Sequence, residues 1–473
     1  MTLDKIDPRY EYAPDVAPSD GLRSTIYDKT HGILFLTSVA QIERVKEGDY
    51  LVTMRAKSIG DLDADAPVPE PVDPPVEPTP VDPPPDPDPV PTPPVIGSTV
   101  AINETDLRDK VAKLGSGPAT IGVKNGHFGA ITLSGVNLGG QLTIVAENRR
   151  EAKFESILLK GGSKDVQLFG LGTCPKGNAT GGGTGPELQN KVYGITADAS
   201  TSKIIVMDAF CQGHLDSANH AWWTEAEWRS RAQGGVMIQG ADSAIIDSYA
   251  EGVRFGFNMM GDRGVMDSLR VFGASGDCFR ATAHDLVCRN LLGSDLVYMN
   301  DGNHPDGLQS FLLDSNRKVV VMRNLTLKNI ALFDWTVRHD NPMRFASENT
   351  NPAMRRWGRM QGLGLHQAGF SNMSIEDVYI KTPVPNGLHI GGVNGLYGRR
   401  WTVLNSDYGL SDIDSYDTRW PKINVNATGI VDVADTEAED YAGSLAGQIV
   451  NAKGCDYTAP EPAWVAPLRQ LAA

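Results

Sequence analysis

Gly235-Val236-Met237-Ile238, Gly256-Phe257-Asn258-Met259, Cys278-Phe279-Arg280-Ala281, Gly307-Leu308-Gln309-Ser310, Gly364-Leu365-His366-Gln367 and Gly387-Leu388-His389-Ile390 are six versions of one phrase, a small residue followed by an apolar anchor. Their starting points lie 21, 22, 29, 57 and 23 residues apart, which reads as a coil of a little over twenty residues interrupted by insertions. Recurrence at such a period marks a solenoid, because one strand-and-turn unit cannot bury its apolar side alone and must stack on copies of itself. Stacking turns distant positions into columns, and a column is where a site is to be sought.

Outward from this stretch, further strand-like phrases stand at Ala119-Thr120-Ile121-Gly122-Val123, Gln141 to Val145, Ser156 to Leu159, Val166 to Phe169 and Ile204 to Met207. They are punctuated by Gly, Asn and Asp, as tight corners require. Asn103 to Leu114 reads as a helix with Asn103 as N-cap and Leu107, Val111 and Leu114 on one side. A helix there closes the open end of a solenoid, which otherwise exposes apolar core and unpaired strand edges.

Between Pro67 and Pro94, fifteen of twenty-eight residues are proline and none is Lys or Arg, so an extended polyproline II rod of roughly 80–90 Å is expected. The organisation expected is therefore a small unit over residues 1–60, a proline-rich acidic linker over 61–97, a solenoid over 98–408 and a C-terminal cap or tail over 409–473. Within the first unit, Ile33 to Leu36 and Leu51 to Met54 read as strands about a turn at Glu47-Gly48-Asp49-Tyr50, and Ser38 to Lys46 reads as a helix. In the tail, Thr436 to Asn451 reads as helical.

Fifty glycines, 41% hydrophobic residues and 7% aromatics suit a turn-rich all-β body. A net charge of −15 argues against nucleic-acid binding. Five cysteines without a paired spacing point to neither zinc nor a disulfide framework. Asp301, Asp306 and Asp314 fit no calcium-loop pattern, so no metal and no cofactor is expected. The chain opens without an apolar leader and contains no apolar run of about 18 residues, so neither a signal peptide nor membrane insertion is expected.

Residues 119 to 408 resemble the right-handed parallel β-helix superfamily that includes pectate-lyase-like enzymes and many bacteriophage tail spikes. The resemblance rests on the coil rhythm, on Asp242-Ser243-Ala244-Ile245-Ile246-Asp247-Ser248 as a strand-and-corner phrase, and on Asn303-His304-Pro305-Asp306-Gly307-Leu308-Gln309-Ser310. That last phrase is similar to an H-x-D-G-[ILV]-Q segment of phage and polysaccharide-active β-helix proteins. It implies a mainly β fold, a right-handed parallel β-helix, and a homotrimer.

Aligning the phrases by their apolar anchor puts Asn258, Arg280, Gln309, His366 and His389 in one column and Asp277 above Asp306 in a second. Paired carboxylates about 5–5.5 Å apart suit a retaining glycosidase, and a wider pair admits a water. An aspartate at a corner also serves turn amides, so that role stands beside the catalytic one. Elimination from a uronic acid needs a carboxylate clamp, which Arg280 suits, and a base and an acid, which His304, His366 or Tyr298 could supply. Two insertions supply binding candidates. Residues 213–233 carry Trp222 and Trp223, with a short helix expected from Thr224, and residues 337–361 carry Arg338, His339, Arg344 and Trp357 in an arginine-rich loop. Tryptophans there would stack on sugar rings while arginines grip acidic groups.

Three functions fit: a virion tail spike or tail fibre recognising, with or without degrading, host-surface polysaccharide; a free bacterial polysaccharide lyase, epimerase or hydrolase; and an adhesin without catalysis. In the first, residues 1–60 attach to other tail or baseplate proteins.

Overall fold

A small residue, an apolar anchor and a polar residue, repeated once per coil, let successive strands lie side by side with their anchors pointing inward. The computed structural model describes the strands between residues 10 and 56, residues 99–178 and 192–297, most of 305–333, residues 360–365, 369–382 and 386–404, the strands between 422 and 441, and residues 463–470. The chain divides into two compact units, Met1–Val81 and Asp82–Ala473. The boundary falls inside the proline-rich segment.

In the second unit every strand pair among the described residues is parallel. The strands fall into three faces of a right-handed parallel β-helix. One face begins with Ala119–Val123, Leu142–Ala146 and Lys164–Phe169, the next with Gly126–Phe128, Ala152–Phe154 and Leu171–Thr173, and the third with Ile131–Ser134 and Ile157–Lys160. The third face carries the recurring phrase: Tyr193–Ala197, Gly234–Ile238, Phe257–Met259, Phe279–Ala281, Asp306–Gln309, Gln361–Leu365 and the start of Asn386–Leu404.

Two corner ladders hold the coils in register. At the first, Asp165, Lys203, Asp242, Arg263, Asp285, Asn324 and Asn372 all have φ between 53° and 57°, and Gly395 continues the row at 78°. At the second, Asp208, Asp247, Ser268, Asn290, Asn329, Asp377 and Arg400 repeat the left-handed conformation. Asn and Asp enter that region at least cost among residues with a Cβ. Side chains tie one coil to the next: Asn329 Nδ2 donates to Asn290 Oδ1 at 2.8 Å and Asn324 Nδ2 to Asp285 Oδ1 at 2.6 Å.

Inside, the anchors Ile195, Val236, Phe257, Phe279, Leu308, Leu363, Leu388 and Ile423 form one buried column within a core that is continuous along the coils. Burying each contributes roughly 1.5–3 kcal/mol. Leu363 is the fifth anchor, so the fifth phrase is Gly362-Leu363-Gly364 and its frame lies two residues earlier than the alignment Gly364-Leu365-His366. The reason is steric. A methyl on Gly362 would overlap the Gly387 carbonyl oxygen and crowd Ile380 at 2.9 Å, so the close-approach position of that coil belongs to Gly362.

The helix Glu104–Ala112 is capped by Asn103, whose side chain accepts from the Asp106 N–H at 2.8 Å, and it buries Leu107 and Val111 on the first coils. One helix expected from the sequence is a strand, and of a second, Thr436 to Asn451, the described residues 437–438 and 440–441 are strands. Ser38 to Lys46 belongs to Ile33–Lys46, which pairs antiparallel with both Arg23–Asp28 and Asp49–Ala56. Glu437–Ala438 and Asp440–Tyr441 add parallel to preceding coils, and residues 442–451 of that expected helix lie outside the described residues. Val465–Gln470 is helical and sets Val465 and Leu468 against Leu292, Ala331, Phe333, Tyr379 and Leu404. Residues 67–93 of the proline-rich segment lie outside the described residues.

The close approach at Gly362 yields a direct test. Gly362→Ala is expected to lower unfolding free energy by roughly 1–3 kcal/mol in urea melts. Gly115→Ala, where nothing lies within 4 Å of the new methyl, is expected to melt with the wild type.

Candidate functional site

The strand register defines two adjacent rows on the third face. Met237, Asn258, Arg280, Gln309, Gly364, His389 and Asn424 occupy one, each hydrogen-bonded coil to coil with its neighbours. Three residues earlier on each coil lie Gly234, Phe255, Asp277, Asp306 and Gln361, preceded by Tyr193. A coil step is about 4.8 Å, so functional groups on neighbouring coils stand within bonding reach.

At the centre is an arginine between carboxylates. Asp277 is fully buried and accepts with both oxygens, Oδ2 from Arg280 Nε at 2.5 Å and Oδ1 from the Asp306 N–H at 3.0 Å. The Arg280 guanidinium lies 4.1 Å from the centre of the Phe255 ring. Phe255 stacks in turn on Tyr193, ring centres 6.5 Å apart, and Tyr193 Oη accepts from Asn258 Nδ2. Gly234 makes this possible, since a Cβ there would stand 2.6 Å from the tyrosine ring.

Asp306 is 1% exposed, its carboxyl is bonded by the Gln309 side chain, and its Oδ1 has no hydrogen-bond partner among the described residues. Burial, reinforced by the neighbouring Asp277 carboxylate, pushes its pKa well above the usual carboxyl range against the opposing pull of Arg280 and Gln309. Burial pushes Tyr193 up to about 12. For Arg280 burial acts downward, and the charge and hydrogen bond of Asp277 together with the charges of Tyr193 and Asp306 outweigh it and hold the guanidinium above its ordinary value. Burial holds the His389 imidazole below its ordinary pKa, toward the neutral base. The set can therefore donate a proton from Asp306 and present a fixed cation beside it.

Of the residues singled out from the sequence, the structure brings together Asp277, Arg280, Asp306 and Gln309, and places His389 in the same row two coils beyond Gln309. Gly364 occupies the position assigned to His366. His366, His304, Tyr298, Arg338, His339, Arg344 and Trp357 lie outside the described residues. Trp222 is 55% exposed, whereas Trp223 is buried, its ring against Trp228 and Arg231 and its Nε1 donating to Asp216 at 3.1 Å. The stacking platform expected of the pair therefore reduces to Trp222. The helix expected from Thr224 spans Glu225–Arg231 with a capping box between Thr224 and Glu227.

Tyr193 and Phe255 are additions. Tyr193-Gly194-Ile195-Thr196 has the frame of Asp277-Cys278-Phe279-Arg280 and Asp306-Gly307-Leu308-Gln309, so extending the phrase one repeat toward the N-terminus locates it. Among the described residues no three His, Cys, Asp or Glu side chains converge to hold a metal ion.

No protein-family model matches the chain, and no curated protein matches it. Solved structures similar to it include the A-module of the mannuronan C-5 epimerase AlgE6 of Azotobacter vinelandii, with 11% identity over 75% of this chain and 95% of that one and a TM-score of 0.42. The pectin methylesterase of Aspergillus niger shows 10% identity over 76% and 94%, with a TM-score of 0.28. A polysaccharide lyase of family PL6, Pedsa3628 of Pseudopedobacter saltans, shows 8% identity over 71% and 92%, with a TM-score of 0.29. The strand register, and not these similarities, defines the fold.

The raised pKa of Asp306 has a signed consequence. A carboxyl that keeps its proton in the folded chain contributes stability that is fully present below the unfolded value of about 3.9 and is lost as pH rises through the folded pKa. Wild-type unfolding free energy should fall relative to Asp306→Asn by about 1.4 kcal/mol per pH unit in that window. Urea melts of both proteins at several pH values check it, and parallel pH profiles would refute the assignment.

Proposed function

We propose that this chain binds an acidic polysaccharide across the third face of its β-helix and cleaves it there, with Asp306 as proton donor to the glycosidic oxygen. The observation that carries the reading is the Asp277–Arg280–Asp306 constellation. A neutral carboxylic acid beside a fixed guanidinium is the pairing that a leaving oxygen and an anionic sugar require.

The same acid serves either reaction. In hydrolysis the C–O bond breaks as Asp306 protonates the leaving oxygen, and water supplies the hydroxyl that closes the new reducing end together with the proton that recharges Asp306. In elimination a base removes the proton alpha to the uronate carboxylate, the electron pair forms the ring double bond, and the leaving oxygen takes the Asp306 proton. Arg280 carries the positive charge that favours an anionic ring in both.

The organisation of the chain supports a setting for this activity: a homotrimeric virion tail spike or tail fibre, with the unit ending at Val81 as attachment module to other tail or baseplate proteins. Two compact units dividing within the proline-rich segment suit an anchor, a spacer and a presented β-helix. The alternative setting is a free bacterial lyase, epimerase or hydrolase using the same face. Sedimentation of the purified chain at three times its 51.0 kDa mass is expected for the spike, and a stable monomer would count against it.

Turnover tests the chemistry. On polygalacturonate, alginate and host capsule, Asp306→Asn is expected to lose at least about 100-fold in rate while binding persists. New reducing ends without ultraviolet absorbance indicate hydrolysis, and absorbance of an unsaturated uronate indicates elimination. Turnover by Asp306→Asn within a few-fold of wild type would sink the reading.

A further inference from the structure

Arg280 is joined to its carboxylate by one hydrogen bond where two corner arginines use two. Arg263 sets Nε and Nη2 on the two oxygens of Asp242 at 2.6 and 2.9 Å, and Arg400 does the same on Asp377 at 2.5 and 2.7 Å. Asp277 does not pair in this way, because its Oδ1 accepts from the Asp306 N–H and Oδ2 alone meets Arg280 Nε. Arg280 Nη1 and Nη2 bond no described residue, and neither is a buried unpartnered atom. The side chain is 19% exposed, so this unbonded edge reaches the surface although the Asp277 and Asp306 side chains are buried. A guanidinium held at Nε alone can swing about that bond, and the Phe255 ring, 4.1 Å from Arg280 Cζ, is what opposes the swing. Phe255 is 1% exposed yet belongs to none of the hydrophobic clusters of the described residues. Its ring lies against Tyr193 and against the guanidiniums of Arg280 and Arg254, the latter at 5.0 Å. Gly276 clears its place, since a Cβ there would stand 2.4 Å from a ring carbon.

Resting on the polysaccharide reading above, we infer that Phe255 is the positioning residue of this face: its ring holds the Arg280 guanidinium so that the free Nη edge faces outward as a two-pronged seat for one carboxylate of the polymer. Two parallel N–H groups match the two oxygens of a carboxylate, which an ammonium in the same place would meet only as a point charge. A fork already held flat also gives up less rotamer freedom on binding than a free arginine does. Tyr193 backs the ring, stacked on it with planes 17° apart and bonded through Oη to Asn258 Nδ2. Phe255 itself touches no ligand and acts through Arg280.

A double-substitution cycle on the full chain tests it, with Kd read by affinity electrophoresis on polygalacturonate, alginate and hyaluronate and with dextran as the neutral control. Phe255→Leu is expected to raise Kd on the best-retained carboxylated probe by about fivefold or more. Arg280→Lys keeps the charge and loses the fork, and in that background Phe255→Leu is expected to change Kd by less than about twofold. An equal loss in both backgrounds assigns the ring to the fold alone and overturns the positioning role, as does wild-type Kd in Phe255→Leu. If Asp306→Asn is inactive in either of those cases, the polysaccharide reading stands. Wild type retained no better by the acidic probes than by dextran, with Asp306→Asn behaving like wild type, overturns both. Should Phe255→Leu fail to melt cooperatively, isotopically labelled arginine in the unaltered chain reads the same contact. The Arg280 Nη resonances, assigned by their loss in Arg280→Lys, are expected upfield under the ring and are expected to move on adding galacturonate. Resonances that lack the ring shift, or that galacturonate leaves unmoved, overturn the seat.

Discussion

The requirement that each coil lie in parallel register on the last governs everything else in this molecule. Strands about 4.8 Å apart leave no freedom in where a side chain meets its counterpart one coil away. Where the next coil's carbonyl comes close, the position must be glycine, as at Gly256 and Gly362. Where the chain turns, it must enter the left-handed region, and the two corner ladders do so coil after coil. Cys278 shows what an exception needs: it places a side chain in the small-residue column, and Gly293 clears the space, since a Cβ there would stand 2.9 Å from the thiol sulfur.

Register also sets the polar cluster on the third face apart from the exposed ion pairs of the corners. At the corners, Arg263 with Asp242 and Arg400 with Asp377 join partners that water still reaches, and such pairs contribute little. Arg280 and Asp277 differ from these, for Asp277 is fully buried and a second carboxyl adjoins it, an arrangement shared by Asp208 with Arg149, Arg150 and Asp247 at the second corner. Desolvating such a group costs more than its attraction alone returns, and well-packed apolar residues would serve the fold at least as well. A solenoid that fills the equivalent positions on the preceding coils with Met237 and Phe255 has apolar choices available. That it sets an acid, a base partner and a cation here is the argument for chemistry on this face.

Much of this was legible in the sequence because a repeat period states both the fold and the alignment of its coils. The phrases about Phe257, Phe279 and Leu308 aligned correctly, and with them Asp277, Arg280, Asp306 and Gln309. The fifth phrase did not. Gly362-Leu363 and Gly364-Leu365 satisfy the same pattern, and only the approach of the Gly387 carbonyl chooses between them, a contact between coils that no local pattern contains. Trp223 illustrates a second limit: adjacent tryptophans look equivalent in sequence, yet one faces solvent and the other fills the space over a glycine corner. Ser38 to Lys46 illustrates a third, since Val39, Ile42 and Val45 have helical spacing but the backbone is claimed by strands on both sides.

The insertion after the strand Phe210–Gln212 gains meaning from where it stands. Its short 3-10 helix, Ser217–Trp222, sits on a third corner row, Gly252 at φ 59° and Gly273 at φ 78°. A Cβ on Gly252 would press on Trp223, His220 and Ser217, so the corner glycines serve the insertion as well as the turn. Farther on, Trp223 and Trp228 pack with Val297 and Met299, and Arg229 donates to the Met299 carbonyl at 2.5 Å. The insertion therefore spans the coils that carry Phe255 and Asp277 and reaches the stretch leading to Asp306. A brace of that length resists sliding of one coil on the next. Since the constellation is assembled from three successive coils, a shift of one residue in register would part Asp306 from Asp277, and the brace lies on the coils where that shift would do most harm.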